Sequence, residues 1–207
     1  MNKQTIVLSL CAMVFLGITA PSESVAGPIF EEKGAFTVGF QGQYGLLMGE
    51  ATETEHFDNG AGYAVRLRYY LGRNRALGVS LERQSFAGGD AISPDERPEE
   101  MNVSVVTVDY FWYFDRKSQL THYITVGAGV HHPGRDYSAY VSADDEWVGY
   151  STVGPDGIAL SLGAGLEYFF HRVVAVDLSA RGYGLFGQDG TLGSVQAAVG
   201  FNFYITN

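Results

Sequence analysis

The chain has 207 residues, a formal net charge of −10 and one cysteine, Cys11. This length is enough for a single domain with a complete core, and the acidic balance argues against nucleic-acid binding. Because no cysteine follows Cys11, the rest of the chain offers neither a disulfide framework nor a thiolate metal site. Nothing in the composition calls for a cofactor.

The first 26 residues form a separate unit. Lys3 precedes an apolar run over 6–20, and the small residues Ser24 and Ala26 stand where a signal peptidase cuts. The run is shorter than the roughly 20 residues of a spanning helix, and Cys11 lies inside it, which argues against lipidation. The sequence therefore predicts a cleaved secretory signal at 1–26 and one domain over 27–207.

Eight later segments alternate apolar residues with small or polar ones, which is the period-two pattern of a β-strand. In chain order they are 35–45, 63–71, 77–84, 102–114, 120–130, 158–170, 174–183 and 195–205. Most are close to the roughly 9 to 11 residues with which a tilted strand crosses a bilayer. Long polar connections at 50–60, 87–101, 131–155 and 188–193 alternate with short turns, as in an up-and-down barrel.

The polar face of these strands decides whether the barrel is soluble or membrane-bound. A soluble lipocalin-like barrel would carry many lysines on its outer face, but after the signal only Lys33 and Lys117 occur, and neither lies in a strand. We therefore expect the apolar face to touch lipid and the polar face to fill the interior. The interior would then hold a charge-balanced ion network, formed by Arg66, Arg68, Glu82, Asp109, Glu167, Asp177 and Arg181.

Aromatic residues concentrate where the strands approach the short turns. They include Tyr69–Tyr70, Phe36, Tyr123 and three longer runs, at 110–114, 168–170 and 201–204. Such a cluster is typical of the interfacial girdle of an outer-membrane barrel. We expect all of these side chains to belong to that girdle.

The signal, the eight alternating segments, the connection lengths and the charged polar face together resemble the small bacterial outer-membrane barrels of the OmpA transmembrane-domain and OmpX/Ail type. The resemblance covers the whole of 27–207. It implies an all-β, eight-stranded antiparallel up-and-down transmembrane barrel in the outer membrane of a Gram-negative bacterium. It also implies that the interior ion pairs act as a structural plug and that outer-membrane lipid and lipopolysaccharide surround the protein.

The predicted long connections, counted with Asp156 directly after the third, hold fifteen acidic side chains against two arginines. These acids could bind divalent cations that bridge to lipopolysaccharide phosphates, attract an extracellular cationic partner, or merely solvate the loops. The candidate contacts are Glu53, Glu55, Asp58, Glu99, Glu100, Asp144, Asp145 and Glu146. No metal site is assigned, because the run 144–146 lacks the length and spacing of a calcium loop.

A catalytic interpretation of the sequence is weak. His131 and His132 stand near Ser138 and Asp144, but neighbouring side chains on a strand point to opposite faces. We therefore assign no catalytic residue and expect a non-enzymatic protein that supports envelope integrity or surface interaction. The alternatives are a lipid-modifying enzyme, a small channel and, least of all, a soluble periplasmic lipocalin-like binder.

Overall fold

The computed structural model describes residues 34–49, 57–89, 93, 95–114, 119–141, 146–187 and 190–205. The predicted signal peptide, 1–26, lies outside these residues. The described chain forms nine strands: β1 (Phe36–Gly49), β2 (Phe57–Gly72), β3 (Arg75–Gly88), β4 (Glu96–Phe114), β5 (Leu120–Val141), β6 (Glu146–Val153), β7 (Gly157–His171), β8 (Val174–Gly187) and β9 (Gly190–Ile205). In the described part of the chain, no helix is long and apolar enough to cross a membrane.

The nine strands build an eight-stranded barrel. Each strand pairs antiparallel with its neighbours, β1 pairs with β9, and β4 pairs with β5, so the sheet closes on itself. Both β6 and β7 pair with the same edge of β5, one above the other, and together they act as one barrel strand. The predicted eight-stranded antiparallel barrel is therefore confirmed.

A bulge separates β6 from β7. Between the pairs Gly134–Val153 and His131–Gly157, β5 contains two residues whereas the facing segment, 154–156, contains three. One extra residue reverses the side-chain phase, so that inward residues are even-numbered before the bulge and odd-numbered after it. Asp156, inside the bulge, consequently points outward beside His132.

The register fixes the inclination of the strands. A path through paired residues leaves β5 at His132 and returns to it at His122, by way of Ser104, Arg83, Tyr63, Gly42, Val199, Leu178 and Leu166. The return point lies 10 residues lower on β5. With about 3.3 Å per residue and about 4.8 Å between strands, this stagger tilts the strands by about 40°.

Side-chain burial separates the two faces of the wall. Outward residues such as Leu162 and Val199 are 66% and 57% exposed, whereas the inward Glu167 and Asp177 are fully buried. Apolar residues outside and charged residues inside are the reverse of a soluble lipocalin-like barrel, which excludes that alternative. The predicted assignment of the lipid-facing and interior faces is confirmed.

The strands extend further than the sequence predicts, and the connections are correspondingly shorter. Most of the predicted loop 131–155 belongs to β5 and β6, and β2 and β4 begin at Phe57 and Glu96, inside other predicted loops. The predicted long loop at 188–193 is wrong, because only two residues separate β8 from β9. Beyond the bilayer neither face of a strand needs to be apolar. The alternation of residue types therefore disappears there, although the backbone hydrogen bonds between the strands continue.

A pair of equally exposed residues tests the position of the bilayer. Leu162 lies in the apolar band of β7, and Val153, 69% exposed, lies on β6 beyond the bulge. We predict that Leu162→Arg destabilises the barrel by about 2–4 kcal/mol, because the charge enters hydrocarbon, whereas Val153→Arg costs less than about 0.5 kcal/mol. Urea unfolding in lipid vesicles measures both values, and equal values would contradict the proposed depth of β7.

Candidate functional site

All seven residues of the predicted ion network lie inside the barrel. Their side chains come from β2, β3, β4, β7 and β8 and are at most 5% exposed. We call them the ionic layer, and they divide into two clusters: Arg68, Glu167 and Asp177, and Arg66, Arg181, Glu82 and Asp109. In both clusters arginines lie beside carboxylates, as the sequence analysis expects.

Arg68 binds two carboxylates at once. Its Nη1 donates to Glu167 and its Nη2 lies 3.1 Å from Asp177 Oδ2, while Phe111 packs 4.5 Å from the guanidinium carbon. One arginine leaves this cluster with an excess negative charge. Neutral donors offset it, because the Asn202 amide reaches Glu167 Oε1 at 2.8 Å and Asp177 Oδ2 at 2.9 Å.

Three further side chains complete this cluster. Gln41 Nε2 donates to Asp177 Oδ1 at 2.7 Å, Tyr123 donates to the same carboxylate at 3.0 Å, and Tyr204 donates to Glu167. The alternation puts Gln41 and Asn202 on the interior face, and Tyr204 is expected in the girdle, but the sequence connects none of the three to the ions. Their connection depends on the register between distant strands, which alternation within one strand does not reveal.

The second cluster is balanced, with two arginines and two carboxylates. Arg181 Nη1 lies 3.2 Å from Glu82 Oε1 and 3.3 Å from Asp109 Oδ2, and Arg66 Nη2 lies 3.4 Å from Glu82 Oε1. Asp109 also accepts hydrogen bonds from Ser80 and from Thr107, the latter at 3.2 Å. Each buried charge of this cluster therefore has an opposite charge beside it.

Glycines provide the space for the ionic layer. A glycine stands directly opposite five of the seven charged residues, pairing Gly39 with Arg66, Gly78 with Arg68 and Asp109, Gly163 with Arg181, and Gly200 with Asp177. A Cβ at Gly127 would overlap Asp109 Oδ1, and one at Gly39 would overlap Asn202 Oδ1. The glycine-rich interior face thus allows long charged side chains to share a narrow barrel.

Aromatic rings fill the interior at the short-turn end. Tyr70, Tyr113 and Tyr204 meet through their hydroxyls, 3.0 and 3.2 Å from that of Tyr70, and Phe111 and Tyr123 pack beside them. These residues, with Phe169, were predicted to belong to the girdle, and that assignment is wrong. Strict alternation turns every second aromatic inward, so the girdle keeps only the outward ones, including Phe36, Tyr69, Trp112, Phe114, Tyr168, Phe170, Phe201 and Phe203.

An apolar cluster fills the interior at the opposite end. It contains Phe57, Phe86, Met101, Val103 and Leu185, each at most 3% exposed, although the sequence predicts a small and polar interior here. A cavity between this cluster and the ionic layer, bordered by Gln43 and Glu82, has a volume of about 10 Å³, no more than one water molecule needs. The described side chains therefore close the barrel above and below the ions.

Three strand ends rise above the barrel and form what we call the flap: residues 96–101 of β4, 134–141 of β5 and all of β6. The Tyr150 ring stacks on Tyr137 with centroids 5.4 Å apart. Tyr150 donates a hydrogen bond to Glu96, and this bond raises the pKa of the Tyr150 phenol above its ordinary value. The flap is thus a packed extension of the barrel wall.

The predicted acidic contacts are only partly described. Glu99 is exposed on β4, and Glu100 accepts a hydrogen bond of 2.5 Å from Ser85. Asp58 and Glu146 lie in β2 and β6, where the backbone alone is described, and the rest lie outside the described residues: Glu53, Glu55, Asp144 and Asp145. The structure thus adds Glu99 and Glu100 to the surface of the flap and leaves the remaining contacts as predictions.

The two adjacent histidines point to opposite faces, as expected. His131 is buried, with Nε2 3.4 Å from the Phe186 carbonyl oxygen, whereas the exposed His132 contacts Asp156 Oδ1 at 2.5 Å. Neither ring forms a described hydrogen bond to Ser138. Within the described ranges, no group of three or more His, Cys, Asp or Glu side chains is arranged to hold a metal ion.

Comparison with known proteins agrees with this architecture. The model of the outer membrane protein beta-barrel domain family matches residues 8–203. The chain belongs to this family. The membrane around it is therefore the outer membrane of a Gram-negative bacterium, with the short turns at the periplasmic end and the flap at the cell surface.

Solved structures of other proteins share the barrel's fold. Ail of Yersinia pestis has a TM-score of 0.53 at 14% identity, covering 83% of this chain and 100% of its own. Neisserial surface protein A has a TM-score of 0.54 at 14% identity, with coverages of 83% and 99%. OprG of Pseudomonas aeruginosa has a TM-score of 0.55 at 10% identity, with coverages of 89% and 100%. Comparison with curated protein sequences gives no match.

Removing the shared arginine tests the ionic layer. We predict that Arg68→Met lowers the free energy of unfolding by about 3–5 kcal/mol, because Glu167 and Asp177 remain buried without a cation. Adding Glu167→Gln and Asp177→Asn restores most of the loss, since the buried charge is removed. Urea unfolding in detergent micelles gives both values, and a triple variant no more stable than Arg68→Met would refute the pairing.

Two glycine substitutions test the packing around the ions. Gly127→Ala pushes a methyl group into Asp109, and we predict a loss of about 1–3 kcal/mol in stability. The control is Gly42→Ala on the lipid-facing side of β1, where no atom lies within 4 Å of the added Cβ. Its unfolding midpoint should equal that of the wild type, and a similar loss in both variants would point to backbone effects instead.

Proposed function

We propose that this outer-membrane barrel is a non-enzymatic surface protein, in which a closed barrel anchors the flap and the acidic connections above the membrane. The observation that carries the proposal is the three-layered interior, with aromatic, ionic and apolar side chains stacked along the barrel axis. Within the part of the chain that the structure describes, a barrel filled in this way leaves little interior space for a substrate. The flap stands outside the bilayer, where a partner can reach it.

The ionic layer acts in this proposal as a structural plug. The hydrogen bonds of its two clusters involve residues of β1–β5 and β7–β9, and Arg68 links β2 with β7 and β8. Swinging Arg68 away would leave Glu167 and Asp177 unpaired in the interior, which is costly. The plug argues against the small-channel alternative, and planar bilayers containing the protein should show no stepwise conductance.

Among the described residues, the lipid-modifying alternative has no serine hydrogen-bonded to a histidine base. His131 lies beside a backbone carbonyl. His132 contacts Asp156 as the histidine of a triad contacts its acid, but no described hydrogen bond joins it to a serine, not even to Ser104, its neighbour on β4. A serine nucleophile requires a base within hydrogen-bonding distance. Mass spectrometry of lipid A from cells that produce the protein should therefore show unchanged acyl chains, and altered chains would overturn the proposal.

The charge of the surface indicates what kind of partner to expect. Ail of Yersinia pestis has been crystallised with the heparin analogue sucrose octasulfate, and that structure is 16% identical to this chain, with a TM-score of 0.51. Here the connections and the flap carry Glu99, Glu100 and other acids, which repel sulfated sugars. The acidic surface favours a cationic partner or bridging divalent cations.

A shortened flap separates a surface role from an envelope role. Joining Asp136 to its partner Ser151 through an Asn-Gly turn removes the upper part of the β5–β6 hairpin and leaves the barrel intact. For a surface role, we predict that cells producing the shortened protein adhere to polylysine-coated glass no better than cells lacking the protein, while both forms restore detergent resistance equally. Full adhesion by the shortened protein would exclude the upper part of the β5–β6 hairpin as the contact surface.

A further inference from the structure

Arg83 lies on the outer surface of the barrel, at the point where β3 leaves the lipid-facing band. Leu81, two residues nearer the periplasm, is 49% exposed and faces lipid. Ser85, two residues nearer the cell surface, donates to the carboxylate of Glu100 in the β4 part of the flap. Arg83 is therefore placed at the boundary between hydrocarbon and the outer-leaflet headgroups.

The Arg83 guanidinium has no partner among the described residues, and it is exposed. This distinguishes it from Arg66, Arg68 and Arg181 inside the barrel, which are all paired with carboxylates. An arginine at a bilayer surface extends its apolar stem along the barrel and places its charge among the headgroups. Phosphate is the anion available at that depth, and guanidinium binds it in a bidentate manner.

The register places two hydroxyl groups beside this charge. Tyr63 of β2 pairs with Arg83 on one side, and Ser104 of β4 pairs with it on the other. Both side chains are on the outer face, and Tyr63 is 60% exposed. A phenol, a guanidinium and an alcohol thus lie in one row across three strands, about 4.8 Å apart from strand to strand, and each can donate to a phosphate oxygen.

We propose that Tyr63, Arg83 and Ser104 form a binding site for the phosphate group of an outer-leaflet glycolipid. The next residue in the row, His132, is bonded to Asp156, so Arg83 carries the positive charge of the site. Binding here is direct and needs no divalent cation, in contrast to the acidic surface of the flap. The site rests on the outer-membrane location of the barrel and is independent of its proposed surface role.

The test compares two arginines on the outer face of the same strand. The full barrel is reconstituted in phosphatidylcholine nanodiscs containing bisphosphorylated lipid A, and native mass spectrometry counts the lipid A that the released protein retains. We predict that Arg83→Gln lowers the affinity for lipid A about tenfold, which corresponds to about 1.4 kcal/mol of binding free energy. Arg83→Lys should retain part of the wild-type affinity, because lysine keeps the charge but not the bidentate geometry. Arg75→Gln, at the periplasmic end of β3, should bind as the wild type does.

Three conditions identify the ligand. Dephosphorylated lipid A should bind equally weakly to the wild type and to Arg83→Gln, and EDTA should leave wild-type binding unchanged. Inorganic phosphate alone should compete poorly, because it lacks the acyl chains that lie on the barrel. The proposal is overturned if Arg83→Gln retains wild-type affinity, if Arg75→Gln loses as much, if EDTA abolishes binding, or if inorganic phosphate displaces lipid A completely. Heat-modified migration on gels verifies that each variant is folded.

Discussion

Charge buried inside a barrel must be compensated inside the barrel, and this requirement determines which residues of different strands face each other. Arg68 holds Glu167 and Asp177 together, and the second negative charge is offset by neutral donors from Asn202 and the surrounding side chains. Removing one partner from such a network lowers the free energy of unfolding by more than the intact network raises it, because the remaining charge stays desolvated. The register of the strands and the pairing of the ions therefore depend on each other.

The layers on either side strengthen this interaction. Rings of Tyr70 and Tyr113 seal the periplasmic end, and Phe86 and Met101 seal the surface end, all of them at most 1% exposed. Electrostatic interactions are stronger where water is excluded. A tightly closed interior also explains why the protein's contacts with its surroundings lie on the outer wall and on the flap, where Arg83 and Glu99 differ in charge and in distance from the membrane.

Alternation in the sequence was sufficient for the barrel itself. Leu160, Leu162 and Leu166 repeat with the pleat, so the lipid-facing side, the strand count and the interior position of all seven ions could be predicted. The aromatic runs were misread, because tyrosine suits both an interfacial girdle and a hydrogen-bonded interior, and only the phase separates Tyr113 from Trp112.

Features that depend on pairing between strands could not be predicted. The bulge at 154–156 reverses which residues of one barrel strand face inward, and the sequence pattern does not predict its position. The links from Gln41 and Asn202 to Asp177 join β1 and β9 to β8, so they require the register of the closed sheet. The apolar layer near the cell surface is not predicted because Val103, Val105 and Val106 blur the alternation of β4 until the neighbouring strands fix their direction.

Solid-state NMR of the barrel in lipid bilayers tests the central claim most directly. Dipolar couplings between arginine guanidinium nitrogens and side-chain carboxyl carbons report whether the charges are in contact, and Arg68→Met identifies the signals of the first cluster. The account predicts strong couplings that disappear in the variant, together with guanidinium protons that resist exchange with deuterated water. Absence of these couplings, or rapid exchange of every guanidinium proton, would show a hydrated interior and contradict the account.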